Sequence, residues 1–175
     1  RYQPDSAERA FKAVLERSPD DPTALNNYGM LLVRVQRPAE GEALLSRGLA
    51  ADSGRSSFYV NLSTALVAQR KLDEAGRVID ALERNVPAAA DAATALRIER
   101  FGAAGQRDSA RRLSEAELAV ATDPRNRANL LFGLSAIAAT EGRVADADRR
   151  LRESEAAEVV RGRPGQALDA ALVRA

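Results

Sequence analysis

Residues 56–89 read SSFYVNLSTALVAQRKLDEAGRVIDALERNVPAA, and this stretch decides the fold. Apolar residues recur three or four positions apart in each half, which is the spacing of one face of an α-helix. The two stripes are Tyr59, Leu62 and Leu66 in the first predicted helix and Ala75, Ile79 and Leu82 in the second. A helix of about 14 residues with a single apolar stripe is not stable alone in water. The two helices must therefore pack together, and the pair must pack against a neighbour.

The same pattern occurs one step upstream, in residues 22–55. Its matching positions are Leu25, Tyr28, Gly29, Leu32, Gly41, Leu45 and Gly48. Asp21 before Pro22 predicts the start of the first helix, because the carboxylate can cap it and the proline needs no donor there. Glycine inside a helix costs about 1 kcal/mol relative to alanine, so Gly41 and Gly48 predict a tight helix contact. Residues 1–21 contain only a second helix, with Ala7 and Phe11 on its stripe.

Downstream the pattern weakens and then returns. In residues 90–123, Arg97 falls near an expected core position in either alignment of the first helix. In residues 124–160 the stripe positions are again apolar or small, with Leu131, Leu134 and Leu151 among them. Residues 164–175 predict a short amphipathic helix that would shield the last repeat from water.

This spacing resembles the tetratricopeptide repeat, a 34-residue helix pair with large, small and aromatic residues at fixed positions and a closing proline. In residues 56–89 those positions hold Tyr59, Leu62, Ser63, Leu66, Ala75, Ile79 and Pro87. The resemblance implies an all-α fold, a right-handed α-solenoid, in which the whole chain, 1–175, is a single domain. Its parts would be a half repeat at 1–21, repeats at 22–55, 56–89, 90–123 and 124–160, and a capping helix at 164–175.

In the resembled family the first helices line a concave groove that holds a partner segment. Carried over by position, the predicted groove residues are Asn26, Asn27, Met30, Arg34, Asn61, Thr64 and Phe132. Asparagine both donates and accepts hydrogen bonds, which suits contact with an extended backbone. The alternative is that these asparagines only bond to a neighbouring helix and set the stacking. Only Arg34 is placed to clamp a terminal carboxylate, which argues against that mode of binding.

The composition excludes several classes of chemistry. The chain of 175 residues has neither cysteine nor histidine, so disulfides, thiolate nucleophiles and histidine bases are absent. We predict no catalytic residue, no cofactor and no metal site. The 26 basic and 25 acidic residues give a net charge of +1, which argues against a nucleic-acid partner. There is no apolar run of about 18 residues, so no transmembrane segment is predicted.

The repeat pattern and the missing catalytic side chains favour a protein-binding scaffold, and assembly through the unpaired N-terminal helix is a further prediction. Abundant alanine and arginine suggest a GC-rich bacterial genome. The stretch LNNYGMLL at residues 25–32 is similar to tetratricopeptide lipoproteins, or pilotins, that assist pilus or secretin assembly. That resemblance implies a periplasmic protein anchored at the outer membrane, with a secretin or pilus-assembly component as partner. The alternatives are a substrate-docking module of a larger enzyme and a cytoplasmic co-chaperone-like adaptor.

Overall fold

The computed structural model describes residues 4–160, and their side chains from residue 6 to residue 157. Within that range the regular structure is helical, which confirms the predicted all-α fold class. The helices are α1 (Pro4–Arg17), α2 (Pro22–Arg34), α3 (Pro38–Ala51), α4 (Ser56–Ala68), α5 (Leu72–Asn85), α6 (Ala90–Ala103), α7 (Arg107–Val120), α8 (Pro124–Thr140) and α9 (Val144–Val160), with a 3-10 turn at Pro87–Ala89. None of these described helices has the length and apolar character needed to cross a bilayer.

The chain divides into two compact units, Arg1–Gly105 and Gln106–Ala175. The predicted repeats at 22–55 and 56–89 contain the pairs α2–α3 and α4–α5 of the first unit, and the repeat at 124–160 contains α8–α9 of the second. The assignment of the whole chain to a single domain stays a prediction. The predicted capping helix at 164–175 lies outside the described residues.

The core of the first unit is built on both sides of α4. The Leu62 and Leu66 side chains pack with Leu25, Leu45 and Phe58 in one apolar cluster. On the other side, Tyr59 packs with Ile79, Leu82, Ala93 and Leu96. Each stripe predicted from the sequence is therefore buried against a neighbouring helix, and no pair is covered by its own two helices alone.

The ends of the helices follow from local chemistry. Asp21 caps α2 as predicted, because its carboxylate accepts a 2.7 Å hydrogen bond from the Ala24 backbone N–H. Within the helical pairs, the turns pass through a residue with positive φ: Gln36 at 63°, Arg70 at 61° and Gly142 at 74°. Only the last of these is a glycine, which adopts this conformation without a steric penalty.

The second unit has a smaller apolar core and more ionic contacts. Leu131 and Leu134 of α8 are buried with Leu151 of α9. The Arg150 guanidinium joins α9 to α7 through a 2.9 Å ion pair with Glu115. These contacts hold α8 between two strongly charged helices.

Two buried serines test how much an unsatisfied hydroxyl costs. Ser63 is 1% exposed, and its Oγ has no hydrogen-bond partner among the described residues. Ser154 is also buried, but its Oγ donates a 2.9 Å hydrogen bond to the Ala128 carbonyl. Ser63→Ala should raise the free energy of unfolding by about 1 kcal/mol, and Ser154→Ala should lower it by about 1 kcal/mol.

Urea denaturation of both variants measures the difference. Because both serines are helical, the change in helix propensity is the same for each and cancels in the comparison. Equal changes in the two variants would contradict this interpretation of the Ser63 hydroxyl.

Candidate functional site on the first helices

A chain of side-chain amides crosses from α4 to α2. The Asn61 Nδ2 donates to the Asn26 Oδ1 at 2.8 Å, and the Asn26 Nδ2 donates to the Asn27 Oδ1 at 3.3 Å. Asn26 and Asn61 are half-buried and Asn27 is exposed. We call this side of α2 and α4 the first-helix face, defined by Asn26, Asn27, Met30, Arg34, Asn61 and Thr64.

The amide chain keeps unused hydrogen-bonding capacity at both of its ends. An asparagine side chain has two donor hydrogens and an oxygen with two lone pairs. The two bonds take nothing from the Asn61 oxygen and neither of the Asn27 donors. The first-helix face therefore presents an acceptor on α4 and donors on α2, the two groups that an extended peptide backbone alternates.

The other predicted residues of this face differ in what they can offer. Met30 is half-buried beside the amides, and its flexible thioether side chain adapts to an apolar partner group. The Thr64 hydroxyl donates to the Val60 carbonyl of its own helix at 3.1 Å, so that donor is already used. Arg34 lies exposed in the last turn of α2.

The first-helix face carries almost no charge. Arg34 is the only charged residue in α2, and α4 has none. The second helices α3 and α5 are, by contrast, rich in carboxylates and arginines. A charged group brought onto the first-helix face would lose hydration without gaining a partner, so the face suits an uncharged segment.

Phe132 belongs to the second unit, where it lies on α8. Its side chain is 47% exposed, and Asn129 and Ala136 on the same helix are exposed as well. This uncharged stripe has the chemistry predicted for it. The assignment of all seven residues to one binding groove stays a prediction.

An ionic cluster at the first two helices was not found from the sequence. The Glu8 carboxylate accepts hydrogen bonds from the Tyr28 hydroxyl at 2.9 Å and from Arg37 at 2.8 Å, and it pairs with Lys12 at 2.8 Å. These hydrogen bonds, the one from Lys12 first, lower the pKa of the Glu8 carboxyl to about 2. The one available signal was Tyr28, since a buried tyrosine hydroxyl usually needs a polar partner.

The same cluster fixes the N-terminal helix α1. The Phe11 ring stacks on the Tyr28 ring with centroids 5.9 Å apart, and Ala7 and Leu15 pack against the same group of buried residues. The apolar face of the half repeat is thus turned towards α2. Assembly through this helix stays a prediction.

The helix α6 places Arg97 outside the core, which settles the alignment that the sequence left open. Ala93 and Leu96 are buried, while the Arg97 guanidinium reaches α5 and bonds to Glu83 at 2.6 Å and Asp80 at 2.8 Å. The hydrogen bond from Arg97 lowers the pKa of the Glu83 carboxyl. An ion pair thus replaces the small-residue contact expected at this position of the repeat.

A second concave feature lies between α3 and α5. Its volume is about 270 Å³, and its floor is formed by the α4 residues Tyr59, Leu62 and Leu66. The walls are Glu42, Ser46 and Leu49 from α3 and Glu74, Arg77, Val78 and Ala81 from α5. We call it the α3–α5 trough.

Residues 1–59 match the family model of the tetratricopeptide repeat. This part of the chain belongs to the tetratricopeptide repeat family. No curated protein matches the chain.

Solved structures extend the likeness to the fold of nearly the whole chain. A thermophilic tetratricopeptide repeat protein of Thermus thermophilus, TTC0263, superposes with a TM-score of 0.71 at 21% identity, over 94% of this chain and 90% of that one. A tetratricopeptide repeat protein from Parabacteroides merdae gives 0.74 at 16% identity, over 94% and 64%. The crystal structure of MamA gives 0.66 at 18% identity, over 91% of each chain. At these identities the likeness establishes the tetratricopeptide repeat fold of this chain, and the predicted resemblance is confirmed.

Proposed function

We propose that this protein is a non-catalytic scaffold that binds an extended, uncharged segment of a partner protein along its first-helix face. The observation that carries the proposal is the amide chain Asn61–Asn26–Asn27, which crosses two helices and keeps an acceptor at one end and donors at the other. A partner backbone lying across α2 and α4 would supply the complementary groups. Met30 offers an adaptable apolar contact beside them.

The competing interpretation is that the amides serve only to hold α4 against α2. The two interpretations differ in what a truncation does. If the amides act only between helices, their loss costs stability and leaves binding unchanged. If they face a partner, the partner loses hydrogen bonds that water then satisfies in the free protein.

The test is the double substitution Asn27→Ala and Asn61→Ala. We expect partner affinity to fall at least about tenfold, while the free energy of unfolding changes by less than about 1 kcal/mol. The partner is first identified by photo-crosslinking from a benzoylphenylalanine placed at Thr64, and its affinity is then measured by calorimetry. Asn85→Ala is the matched control, because Asn85 lies on α5 and bonds to the Tyr59 hydroxyl.

The control variant should bind like the wild type. A large loss of stability in the double variant, with unchanged partner affinity, would assign the amides to the scaffold and reject the proposal.

A narrower proposal concerns the biological setting. The LNNYGMLL stretch of α2 supports a role in the assembly of a bacterial pilus or secretin, at the periplasmic side of the outer membrane. Such a lipoprotein carries an acylated cysteine upstream of its folded part. Sequencing the gene upstream of Arg1 tests this: a lipobox cysteine supports the role, and a cytoplasmic start codon without one rejects it.

A further inference from the structure

The α3–α5 trough has an unusual pair of charges on its rim. Glu74 and Arg77 are one helical turn apart on α5, and both line the trough. Neither side chain forms a hydrogen bond or ion pair within residues 6–157, although an i,i+3 pair of opposite charges commonly does. Both residues are exposed.

Neighbouring charges on these helices are satisfied within the chain. Glu42 accepts from Lys71 at 2.7 Å and from Gln69 at 2.6 Å, and Asp80 pairs with Arg97 at 2.8 Å. Glu74 and Arg77 therefore stand out on this surface. Each has a charge available for a group that comes from outside the chain.

The trough itself is apolar below its rim. Leu62 and Leu66 form the floor, and Leu49, Val78 and Ala81 are half-buried in the walls. The bond between Lys71 and Glu42 places the start of α5 beside the start of α3, so the two walls run side by side. Ridges of one helix pack into a groove of this kind between two others.

We propose that the α3–α5 trough is a self-association surface that receives α5 of a second copy of this chain. A two-fold axis brings each residue of one copy opposite its counterpart in the other in exchanged order. Placed this way, Glu74 faces the partner's Arg77, and Arg77 faces the partner's Glu74. The arrangement satisfies both charges twice and covers the apolar floor of both troughs. It leaves the first-helix face of α2 and α4 outside the contact.

Charge complementarity selects this occupant over an unrelated segment. Glu74 and Arg77 carry opposite charges at equivalent heights on one helix, so the surface is complementary to itself after a two-fold rotation. A partner with only acidic or only basic groups would satisfy one of the two side chains and repel the other.

The test uses charge reversal and sedimentation equilibrium of the whole chain, from micromolar to millimolar concentration. We expect the wild type to form dimers. Glu74→Arg and Arg77→Glu should each weaken dimerisation at least about tenfold, because each places like charges opposite each other across the axis. The double variant with both reversals should dimerise within about threefold of the wild type, and an equimolar mixture of the two single variants should form a mixed dimer.

Arg9→Glu is the matched control, since it makes the same change of net charge at an exposed residue of α1. It should leave dimerisation unchanged, and circular dichroism should show every variant folded. A wild type that stays monomeric at millimolar concentration would overturn the proposal. So would single variants that dimerise like the wild type, or a double variant that fails to recover.

Discussion

Replacing Phe58 by alanine should lower the free energy of unfolding by about 3–5 kcal/mol. The Phe58 ring is completely buried at the junction of α3 and α4. It lies directly on the backbone of Gly48, where an added Cβ would be 2.0 Å from the ring carbon Cε1. The ring fills the space that a side chain at position 48 would otherwise occupy, so its removal leaves a cavity.

The next repeat solves the same packing problem in the opposite way. Leu82 stands 34 positions after Gly48, and Ala92 stands 34 positions after Phe58. Both belong to the cluster around Tyr59, so a large residue on the second helix there faces a small one on the following helix. The sum of the two volumes is kept while their order is exchanged.

This exchange predicts a strong coupling between positions 48 and 58. Gly48→Leu alone should cost about 1–3 kcal/mol by overpacking against the ring. Combined with Phe58→Ala, the new leucine fills the cavity, and the double variant should be at least about 2 kcal/mol more stable than the sum of the single changes. Urea denaturation of the four proteins gives the coupling energy. Strictly additive changes would show that the two sites do not share one space.

The repeat architecture was predictable because it depends on periodicity alone. The stripes through Leu25 and Leu62, and the 34-residue step between them, specify helix pairs whatever the exact neighbours are. The weaker repeat shows where this reasoning stops. Arg97 lies at a position that the pattern reserves for a small residue, and only the carboxylates of α5 explain it.

Contacts between polar side chains of different helices could not be predicted. Glu8 and Arg37 are far apart in the chain, and nothing in either local pattern indicates that they meet at Tyr28. Long side chains have many rotamers, so their pairing depends on how far each helix is rotated and shifted. The Lys71–Glu42 bond that aligns the walls of the trough is a second example.

The candidate site was predictable in position more than in chemistry. Position within the repeat placed Asn26 and Asn61 on first helices, and the structure shows that their amides bond to each other. The sequence left open whether these amides face a partner or only a neighbouring helix. The direction of their hydrogen bonds shows which groups stay available, because one bond between two amides leaves most of their capacity unused.

Gly41→Ala should lower the free energy of unfolding by about 1–3 kcal/mol, although alanine is the better helix former. A Cβ at this position would be 2.6 Å from the carbonyl oxygen of Gly29 and 2.9 Å from the Val33 Cγ2. The obstacle is the backbone of α2, which cannot rotate away as a side chain can. The second repeat has Ser63 and Ala75 at the equivalent positions, so this close approach belongs to the pair α2 and α3.

Gly76→Ala is the matched control, because Gly76 lies near the same point of the next second helix. The nearest atoms to its added Cβ belong to the Arg100 side chain at 3.7 Å, an ordinary contact distance. That substitution should raise the free energy of unfolding by about 1 kcal/mol through helix propensity. Chemical denaturation should therefore move the two variants in opposite directions. If Gly41→Ala were as stabilising as the control, the helices α2 and α3 would have to be farther apart than the structure shows, and the tight contact inferred from the glycines would be wrong.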